Sequence, residues 1–363
     1  MHKILIVSRF GKMGGVRTFH NNLISFCIKN NHRIYIIFLS NTLDSTQVNI
    51  LKEHNIHYKI LNDPPYPGIF RKLIQNFHIL FLILSYCKKY EISKIIFTQW
   101  GIMSDFSTIF LAGLKKELLF FVHSTAKEPK KFKGLFKIIK YLFSKLVGDN
   151  KLITVSNFNK EEIIKNWSVK NKNVNVLYNY SSITTVSHQK DETKIVLTLG
   201  HLREYKNPMQ WIEVAKRVTS KKKNVKFIWA GEGELFNECR AITKNNSNIE
   251  FIGFVKNVEE LYKHADIYLQ LSLEETQGIS VLDAMKNSIP CIVSNKGGLP
   301  ESVKDNYSGY VVDLENTSDI EEKVLELLKN DKLRQTMGES SSKLYTEYFS
   351  KTIWESNIYN LLK

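Results

Sequence analysis

Short runs of apolar residues recur along the chain, and stretches with helical periodicity separate most of them. The first series of runs comprises residues 4–8, 34–39, 95–98, 118–122, 152–155 and 174–177, and the second comprises residues 194–199, 225–230, 249–252, 267–271, 289–293 and 310–312. Runs of this kind are typical of strands in a parallel sheet, because crossover helices cover both faces of such a sheet. The alternation therefore predicts two Rossmann-like α/β domains.

A polar, serine-rich segment at residues 179–191 separates the two series and predicts the linker between the domains. We place the main N-terminal portion at residues 1–183 and the C-terminal domain at residues 184–349. A chain of 363 residues with 43% hydrophobic content can bury two cores of this size. After Ser318, a predicted N-cap, three helical patterns follow at residues 319–328, 332–349 and 351–362.

The positive charge of the chain is concentrated in its first half. Residues 1–185 hold 27 Lys and Arg against 10 Asp and Glu, whereas residues 186–363 hold 24 against 26, within an overall net charge of +15. A one-sided basic domain favours an anionic partner, either nucleic acid or an acidic membrane face. No helix-turn-helix, zinc-finger or RNA-recognition signature accompanies the charge, so we expect no nucleic-acid partner.

The cysteines and the apolar runs bear on the cellular compartment of the protein and on whether it spans a membrane. Four scattered cysteines without a C-x-x-C pair suggest neither a disulfide framework nor a zinc ribbon, and they fit a reducing cytoplasm. The start of the chain has too short an apolar core for a signal peptide. The longest apolar run, residues 77–87, is too short to span a bilayer, so we expect no transmembrane segment.

The segment Lys127 to Lys151 predicts a basic amphipathic helix. Its apolar residues follow helical spacing, and its lysines fall mainly between them. One interpretation is a helix packed on the sheet with a solvated lysine face. The other is a surface that binds an anionic membrane, which Lys130, Lys131 and Lys133 would strengthen.

Residues 271–301 combine a strand end, two acids and a helix start. Glu275 and Asp283 are eight residues apart, and Gly278 lies between them. A helix over residues 279–286 is predicted to begin directly after this glycine. The spacing alone also arises from ordinary helix capping and surface charge.

The first amides of that helix, which belong to Ile279, Ser280 and Val281, are predicted to be free. Amides at the positive end of a helix suit an anion such as phosphate, and a nearby carboxylate suits the hydroxyls of a sugar. The segment thus offers both halves of a nucleotide-sugar site.

The complete string resembles the signature of retaining glycosyltransferase family 4, which has the GT-B fold. The string begins with a strand, then Ser-x-x-Glu and Gly278, and continues with a helix that contains Ala-Met. Pro290, a second apolar strand and the segment from Gly297 to Glu301 follow. The resemblance implies two Rossmann-like domains with parallel sheets that face each other across a cleft. It also implies that residues 350–363 cross back to the N-terminal, acceptor-binding domain. The family usually has a second Glu where this chain has Asp283.

Two further features of the first domain gain meaning from the resemblance. Gly14 and Gly15 belong to a glycine-rich turn between a strand and a helix, without the spacing of a dinucleotide or phosphate loop. In the family this turn lies against the donor and acceptor. His123 follows a strand, where family members carry a histidine that contacts the donor sugar, so it is a candidate catalytic residue.

In the second domain the family typically reads Gly-Arg-Leu-x-x-x-Lys, with Arg and Lys binding the diphosphate. Lys206 matches the lysine, but His201 occupies the arginine position, which removes a bidentate phosphate contact. Arg203 either supplies the missing charge or points to water. Three residues in strand-end loops also resemble family binding loops, namely Gly231, Gly253 and Val255.

The resemblance implies transfer of a hexose-type sugar, with retention at the anomeric carbon, from a nucleotide sugar to a lipid-linked or polysaccharide acceptor. We expect a UDP-sugar rather than a GDP-sugar as the donor. Glu275 would hold the sugar hydroxyls and steady positive charge at the anomeric carbon, and Asp283 would bind the ribose. No D-x-D motif is present, so we expect no metal and no cofactor. The expected place of work is the cytoplasmic face of the inner membrane, in cell-surface glycan synthesis.

Two other functions stay open from the sequence. A non-catalytic partner protein could have kept the fold while losing the arginine at His201 and the longer acid at Asp283. A sugar-nucleotide epimerase of similar two-domain shape would change the donor itself without an acceptor.

Overall fold

A computed structural model describes most of the chain. The described residues are 2–9, 14–39, 43–61, 68–101, 108, 111, 116–125, 134, 137–138, 141–142, 151–189 and 191–363, with the backbone alone described at residues 68–73. The chain divides into two units, Met1–Leu177 and Tyr178–Lys363. None of the helices in these ranges combines the length and the apolar character that crossing a membrane would require.

The first unit contains a parallel sheet in which the described strands follow the order β3-β2-β1-β4-β5-β6-β7. The strands are β1 (Lys3–Ser8), β2 (Arg33–Phe38), β3 (His57–Ile60), β4 (Lys94–Phe97), β5 (Glu117–Val122), β6 (Lys151–Thr154) and β7 (Val174–Val176). Its helices are α1 (Gly15–Lys29), α2 (Ser45–Glu53), α3 (Gly68–Tyr90) and α4 (Asn157–Trp167). The six apolar runs of the first series each overlap one of these strands, which confirms the first Rossmann-like sheet.

The apolar pattern missed β3, which lies at the edge of this sheet. Its side chains alternate between exposed and half-buried, so its sequence carries no continuous apolar run. The central strands β1, β4 and β5 are almost wholly buried, because helices cover both faces of the sheet.

The second unit contains another parallel sheet, of order β10-β9-β8-β11-β12-β13. The strands are β8 (Lys194–Leu199), β9 (Val225–Ala230), β10 (Ile249–Gly253), β11 (Ile267–Gln270), β12 (Cys291–Ser294) and β13 (Gly309–Val312). The helices are α5 (Pro208–Lys221), α6 (Phe236–Thr243), α7 (Glu259–His264), α8 (Ile279–Lys286), α9 (Thr317–Lys329), α10 (Asp331–Tyr348) and α11 (Lys351–Leu362). This is the predicted second Rossmann-like sheet, and α8 has the predicted bounds.

The predicted N-cap Ser318 is wrong. The helix α9 begins two residues earlier, after Asn316, whose side-chain oxygen accepts a hydrogen bond of 3.1 Å from the amide of Asp319. Asparagine and serine both cap helices well, so the pattern alone did not decide between them.

The division into units groups α11 with the second unit. The prediction that residues 350–363 belong to the N-terminal domain stays a prediction. Within the second unit, Trp354 of this helix lies against Tyr180, with ring centroids 5.3 Å apart.

Most of the Lys127 to Lys151 segment lies outside the described residues. The described helical positions within it are Gly134, Lys137, Ile138, Tyr141 and Leu142, and all five are exposed. Ile138 is 59% exposed and Leu142 is 45% exposed. These two apolar side chains are therefore partly exposed, and the choice between the two interpretations of the segment stays open.

Candidate active site

The candidate site lies at the carboxyl ends of β8 and β11, the neighbouring strands at which the strand order of the second sheet reverses. Ligands of open α/β sheets bind at such a switch point. The connection after β8 includes a short 3-10 helix, Glu204–Lys206, and the loop after β11 carries Glu275. A backbone hydrogen bond of 2.8 Å from Leu273 to the carbonyl of Tyr205 joins the two loops.

Lys206 and Glu275 form an ion pair across these loops, between Nζ and Oε2. The two side chains are only 12% and 17% exposed, so water screens their charges weakly. Glu275 Oε2 also accepts a hydrogen bond of 3.1 Å from Nε2 of Gln270. The carboxylate is therefore held by a cation on one side and by an amide of β11 on the other.

Gln270 links this carboxylate to the start of α8. Its Oε1 accepts hydrogen bonds of 3.2 Å from the hydroxyls of Ser280 and Tyr268. Gln270 is 2% exposed, and a buried amide whose atoms are hydrogen-bonded is fixed in one orientation. The predicted site residues Glu275 and Ser280 thus meet through a side chain that the sequence analysis did not select.

Gly278 precedes α8 with a φ of +85°, in the region that favours glycine. A Cβ at this position would lie 3.0 Å from Cδ2 of Leu299. Among the described residues, the amides of Ile279 and Ser280 have no backbone hydrogen-bond partner. The predicted free amide of Val281 is wrong, because it donates a hydrogen bond of 3.0 Å to the carbonyl of Gly278.

Gly297 and Gly298 support the backbone of Glu275. The amide of Gly298 donates a hydrogen bond of 2.9 Å to the carbonyl of Glu275. Gly297 has a φ of +63°, and a Cβ there would lie 1.9 Å from the same carbonyl oxygen. The glycine pair appeared in the sequence analysis only as part of a string, and the close approach explains the need for glycine at position 297.

Gln277 ties the loop of Glu275 to the segment that follows β7. Its Oε1 accepts hydrogen bonds from the backbone amide and from Nδ2 of Asn179, at 2.8 and 2.9 Å. Gln277 and Asn179 are 1% and 6% exposed. The sequence analysis missed this pair, because 98 residues separate its members and no motif includes both.

We expect Gln277→Met to destabilise the protein by about 2–3 kcal/mol, because a side chain of similar length without an acceptor leaves buried donors of Asn179 unsatisfied. It should also raise the KM for the sugar donor expected from the sequence more than it lowers kcat, since the loop of Glu275 and Gly278 loses an anchor. Thermal unfolding and donor titrations measure the two effects.

The matched control is Gln189→Met, which changes an exposed glutamine in the predicted linker that also contains Asn179. Gln277→Glu keeps an acceptor for Asn179 and should recover part of the donor affinity. An unchanged KM in Gln277→Met would show that the loop does not depend on this contact.

Asp283 is 8% exposed, and it faces Ser181, Tyr262 and Lys286. Burial raises the pKa of its carboxyl to about 7, against a partial opposing effect from the nearby Ser181 and from the charge of Lys286. Oδ1 has no hydrogen-bond partner within the described part of the chain. The role of Asp283 in ribose binding stays a prediction.

His201 and Arg203 lie in the loop after β8 with Lys206. Burial, followed by the positive charges of Arg203 and Lys206, lowers the pKa of His201. His201 is therefore neutral at neutral pH and adds no charge for a phosphate. Arg203 is exposed, and no side-chain hydrogen bond of Arg203 to another described residue is present. Both interpretations of Arg203 remain open.

The predicted residues Gly231, Gly253 and Val255 lie where β9 and β10 end, next to the loop after β8. The amide of Gly231 donates a hydrogen bond of 2.7 Å to the carbonyl of Gly253. A Cβ on Gly231 would lie 2.1 Å from the carbonyl oxygen of Gly200. These glycines let three strand ends converge, and Val255 follows them as a half-buried residue.

In the first unit, Gly14 precedes α1 with a φ of +112°, and Gly15 is the first residue of that helix. His123 follows β5, and its ring lies 4.7 Å from that of Phe19 and 6.2 Å from that of Phe121, between ring centroids. Burial lowers the pKa of His123 to about 4, so the ring is neutral at neutral pH. The roles of these three predicted residues stay predictions.

The described residues contain no cluster of three or more His, Cys, Asp and Glu side chains placed to hold a metal ion.

The match to a known protein family lies within the second unit. Residues 179–344 match the family described as Glycosyl transferases group 1. N-acetyl-alpha-D-glucosaminyl L-malate synthase of Bacillus anthracis is 26% identical over 212 residues, which are 53% of this chain and 55% of that protein.

A second relative is the UDP-Gal:alpha-D-GlcNAc-diphosphoundecaprenol alpha-1,3-galactosyltransferase of Escherichia coli. It is 26% identical over 247 residues, which are 62% of this chain and 63% of that protein. The chain thus spans less than two thirds of the length of either relative.

The crystal structure of Anabaena Alr3699/HepE in complex with UDP-glucose superimposes with a TM-score of 0.77 and 15% identity, covering 100% of this chain and 99% of that one. At this identity the likeness shows the fold. Together with the family match over residues 179–344 and the two relatives, it supports a GT-B glycosyltransferase of the family 4 type.

Proposed function

We propose that this protein is a retaining glycosyltransferase that moves a hexose-type sugar from a UDP-sugar to a lipid-linked or polysaccharide acceptor in cell-surface glycan synthesis. The Lys206–Glu275 pair at the switch point carries the proposal, because it places one cation and one carboxylate beside the start of α8. The name of the E. coli relative gives a UDP-Gal donor and a diphosphoundecaprenol acceptor, and the Anabaena protein was crystallised with UDP-glucose.

The positive groups of the site suit the leaving diphosphate. When the bond between the anomeric carbon and the diphosphate oxygen breaks, its electron pair stays on the diphosphate. Lys206 and the amides of Ile279 and Ser280 stabilise that negative charge without a metal ion. Arg203 is close enough to His201 to lower its pKa, so it can add a further positive charge at the same loop.

The carboxylate of Glu275 suits the sugar. It binds donor hydroxyls and opposes the positive charge that develops at the anomeric carbon. Its partner Gln270 keeps the carboxylate in place when Lys206 turns to the diphosphate. We further propose that His123 contacts the sugar as a neutral imidazole, that Asp283 binds the ribose, and that the turn at Gly14 binds the substrates.

We propose that the enzyme works at the cytoplasmic face of the inner membrane. The exposed apolar side chains of Ile138, Tyr141 and Leu142, with the exposed lysine Lys137 beside them, support contact of the Lys127 to Lys151 segment with an anionic surface.

Release of nucleoside diphosphate from a panel of UDP- and GDP-sugars tests the transfer reaction. The acceptors are polyprenyl diphosphate-linked sugars and bacterial polysaccharides. We expect release from a UDP-sugar that continues in EDTA and falls to background in the Lys206→Ala, Glu275→Ala double variant. Equal release by the double variant would contradict the proposed site, and inversion of the product's anomeric configuration would contradict retention.

A non-catalytic glycosyltransferase-like partner is the second candidate, because His201 stands where the family typically has an arginine. A thermal-shift screen against UDP, GDP, ADP and their common sugars separates the two candidates. Stabilisation by UDP without turnover of any donor would favour the partner protein. Conversion of a donor to its isomer without an acceptor would indicate an epimerase.

A further inference from the structure

The outer face of α3 carries a continuous stripe of large apolar side chains. Ile74, Phe77, Phe81 and Leu84 are 45%, 56%, 70% and 40% exposed. Their spacing of three, four and three residues places them on one side of a helix. We call these four residues the α3 stripe.

The opposite face of α3 already anchors the helix to the first unit. Ile79, Ile83 and Tyr86 are buried in its core, at 2%, 0% and 8% exposure. None of the four residues of the α3 stripe belongs to that core. Contiguous exposed apolar side chains of this size mark a surface that binds another molecule.

The charged residues of α3 itself are all basic. The sequence of α3 has basic residues near both ends, Arg71 and Lys72, then Lys88 and Lys89, and it contains no acid. Lys88 and Lys89 are exposed. The first acid beyond the helix, Glu91, pairs with Lys3 at 2.6 Å. The helix thus joins an apolar stripe to a cationic border, within the half of the chain that holds the whole positive excess.

We propose that the α3 stripe docks onto the surface of a bilayer that contains anionic lipids. The phenyl rings of Phe77 and Phe81 enter the boundary between headgroups and acyl chains, and the lysines beside them contact lipid phosphates. The helix lies in the plane of the membrane, because its inner face stays packed on the unit. A second copy of this chain is disfavoured as the occupant, since a symmetric contact would bring two like-charged faces together.

This surface involves residues separate from the Lys127 to Lys151 segment and from the Lys206–Glu275 pair. Its test therefore does not depend on the transfer reaction. Phe77→Ser combined with Phe81→Ser should weaken binding to vesicles of phosphatidylcholine and phosphatidylglycerol by about tenfold or more, because two phenyl rings that would be buried in the lipid are removed. Co-sedimentation of the full chain with these vesicles measures the effect.

The matched control is Ile242→Ser with Ile353→Ser, which changes two exposed apolar side chains of the second unit, 41% and 38% exposed. It should bind the vesicles as the unchanged protein does. Lys88→Glu with Lys89→Glu leaves the apolar side chains in place and should also weaken binding, and only to vesicles that contain phosphatidylglycerol.

Equal vesicle binding by the phenylalanine variant and the unchanged protein would overturn the proposal. So would binding that is no tighter with phosphatidylglycerol than with phosphatidylcholine alone. If sedimentation equilibrium shows a dimer that the phenylalanine variant dissociates while vesicle binding persists, the stripe is an interface between copies and the proposal fails. A cooperative thermal unfolding transition of each variant, at the midpoint temperature of the unchanged protein, confirms that the chain is folded.

Discussion

Lys206→Ala is expected to reduce kcat/KM for the proposed sugar transfer by about a hundred- to a thousand-fold, as removal of one preorganised group that stabilises developing charge does in other enzymes. The side chain is 12% exposed, so its charge acts through a medium less polar than bulk water. UDP release under steady-state conditions measures the loss. Lys222→Ala is the matched control, because Lys222 lies at the far end of α5, a 14-residue helix that begins just after Lys206.

The ion pair also allows a second measurement, of unfolding stability, that needs no sugar donor. Removing Lys206 leaves Glu275 partly buried without its cation, so Lys206→Ala and Glu275→Gln should each destabilise the protein. The double variant should lose less stability than the sum of the two, with a coupling of about 1 kcal/mol or more. Urea unfolding measures this difference. Strict additivity in stability, or activity of Lys206→Ala equal to that of the control, would contradict the assigned role.

The strands were predictable because burial on both faces leaves a direct trace in the sequence. A strand such as β5 is covered on both sides and reads as a short apolar run, and so does β1. The edge strand β3 left no such run, since half of its positions are exposed. The start of α8 was also predictable, because Gly278 marks a backbone conformation that other residues rarely adopt.

The contacts within the candidate site were much less predictable. The sequence analysis selected Lys206 and Glu275 separately, for a diphosphate and for a sugar, but not as partners of each other. The two residues are 69 positions apart, and only the reversal of strand order at β8 and β11 brings their loops together. The role of Gln270 was hidden in the same way, as a polar residue at the end of an otherwise apolar strand.

The α3 stripe shows a different limit. Residues 77–87 read as one long apolar run, and a run that is apolar on all sides does not reveal which face is covered. Burial in the structure separates Ile79 and Ile83, which face the core, from Phe77 and Phe81, which face outward. Neither apolar face could be assigned without knowing where the sheet lies.

Gly297→Ala is expected to destabilise the protein by about 2–5 kcal/mol, since it combines a left-handed backbone conformation with overpacking. The added Cβ would lie 1.9 Å from the carbonyl oxygen of Glu275, so one of the two loops must move. The hydrogen bond from Gly298 to the same carbonyl should be lost with that movement. Donor affinity should therefore fall together with stability, as measured by UDP titration and thermal unfolding.

Two further variants separate the causes of this effect. Gly134→Ala adds a methyl group in helical backbone where no described atom lies within 4 Å of the new Cβ, so it should leave stability and UDP affinity unchanged. Gly297→Asn tolerates the φ of +63° better than alanine does but brings the same Cβ to the carbonyl of Glu275. If contact with that carbonyl dominates, asparagine will be as damaging as alanine. Recovery of both stability and UDP affinity by asparagine would show instead that only the backbone conformation requires glycine at position 297. The short distance between Gly297 and the carbonyl of Glu275 would then not be needed to hold the loop of Glu275.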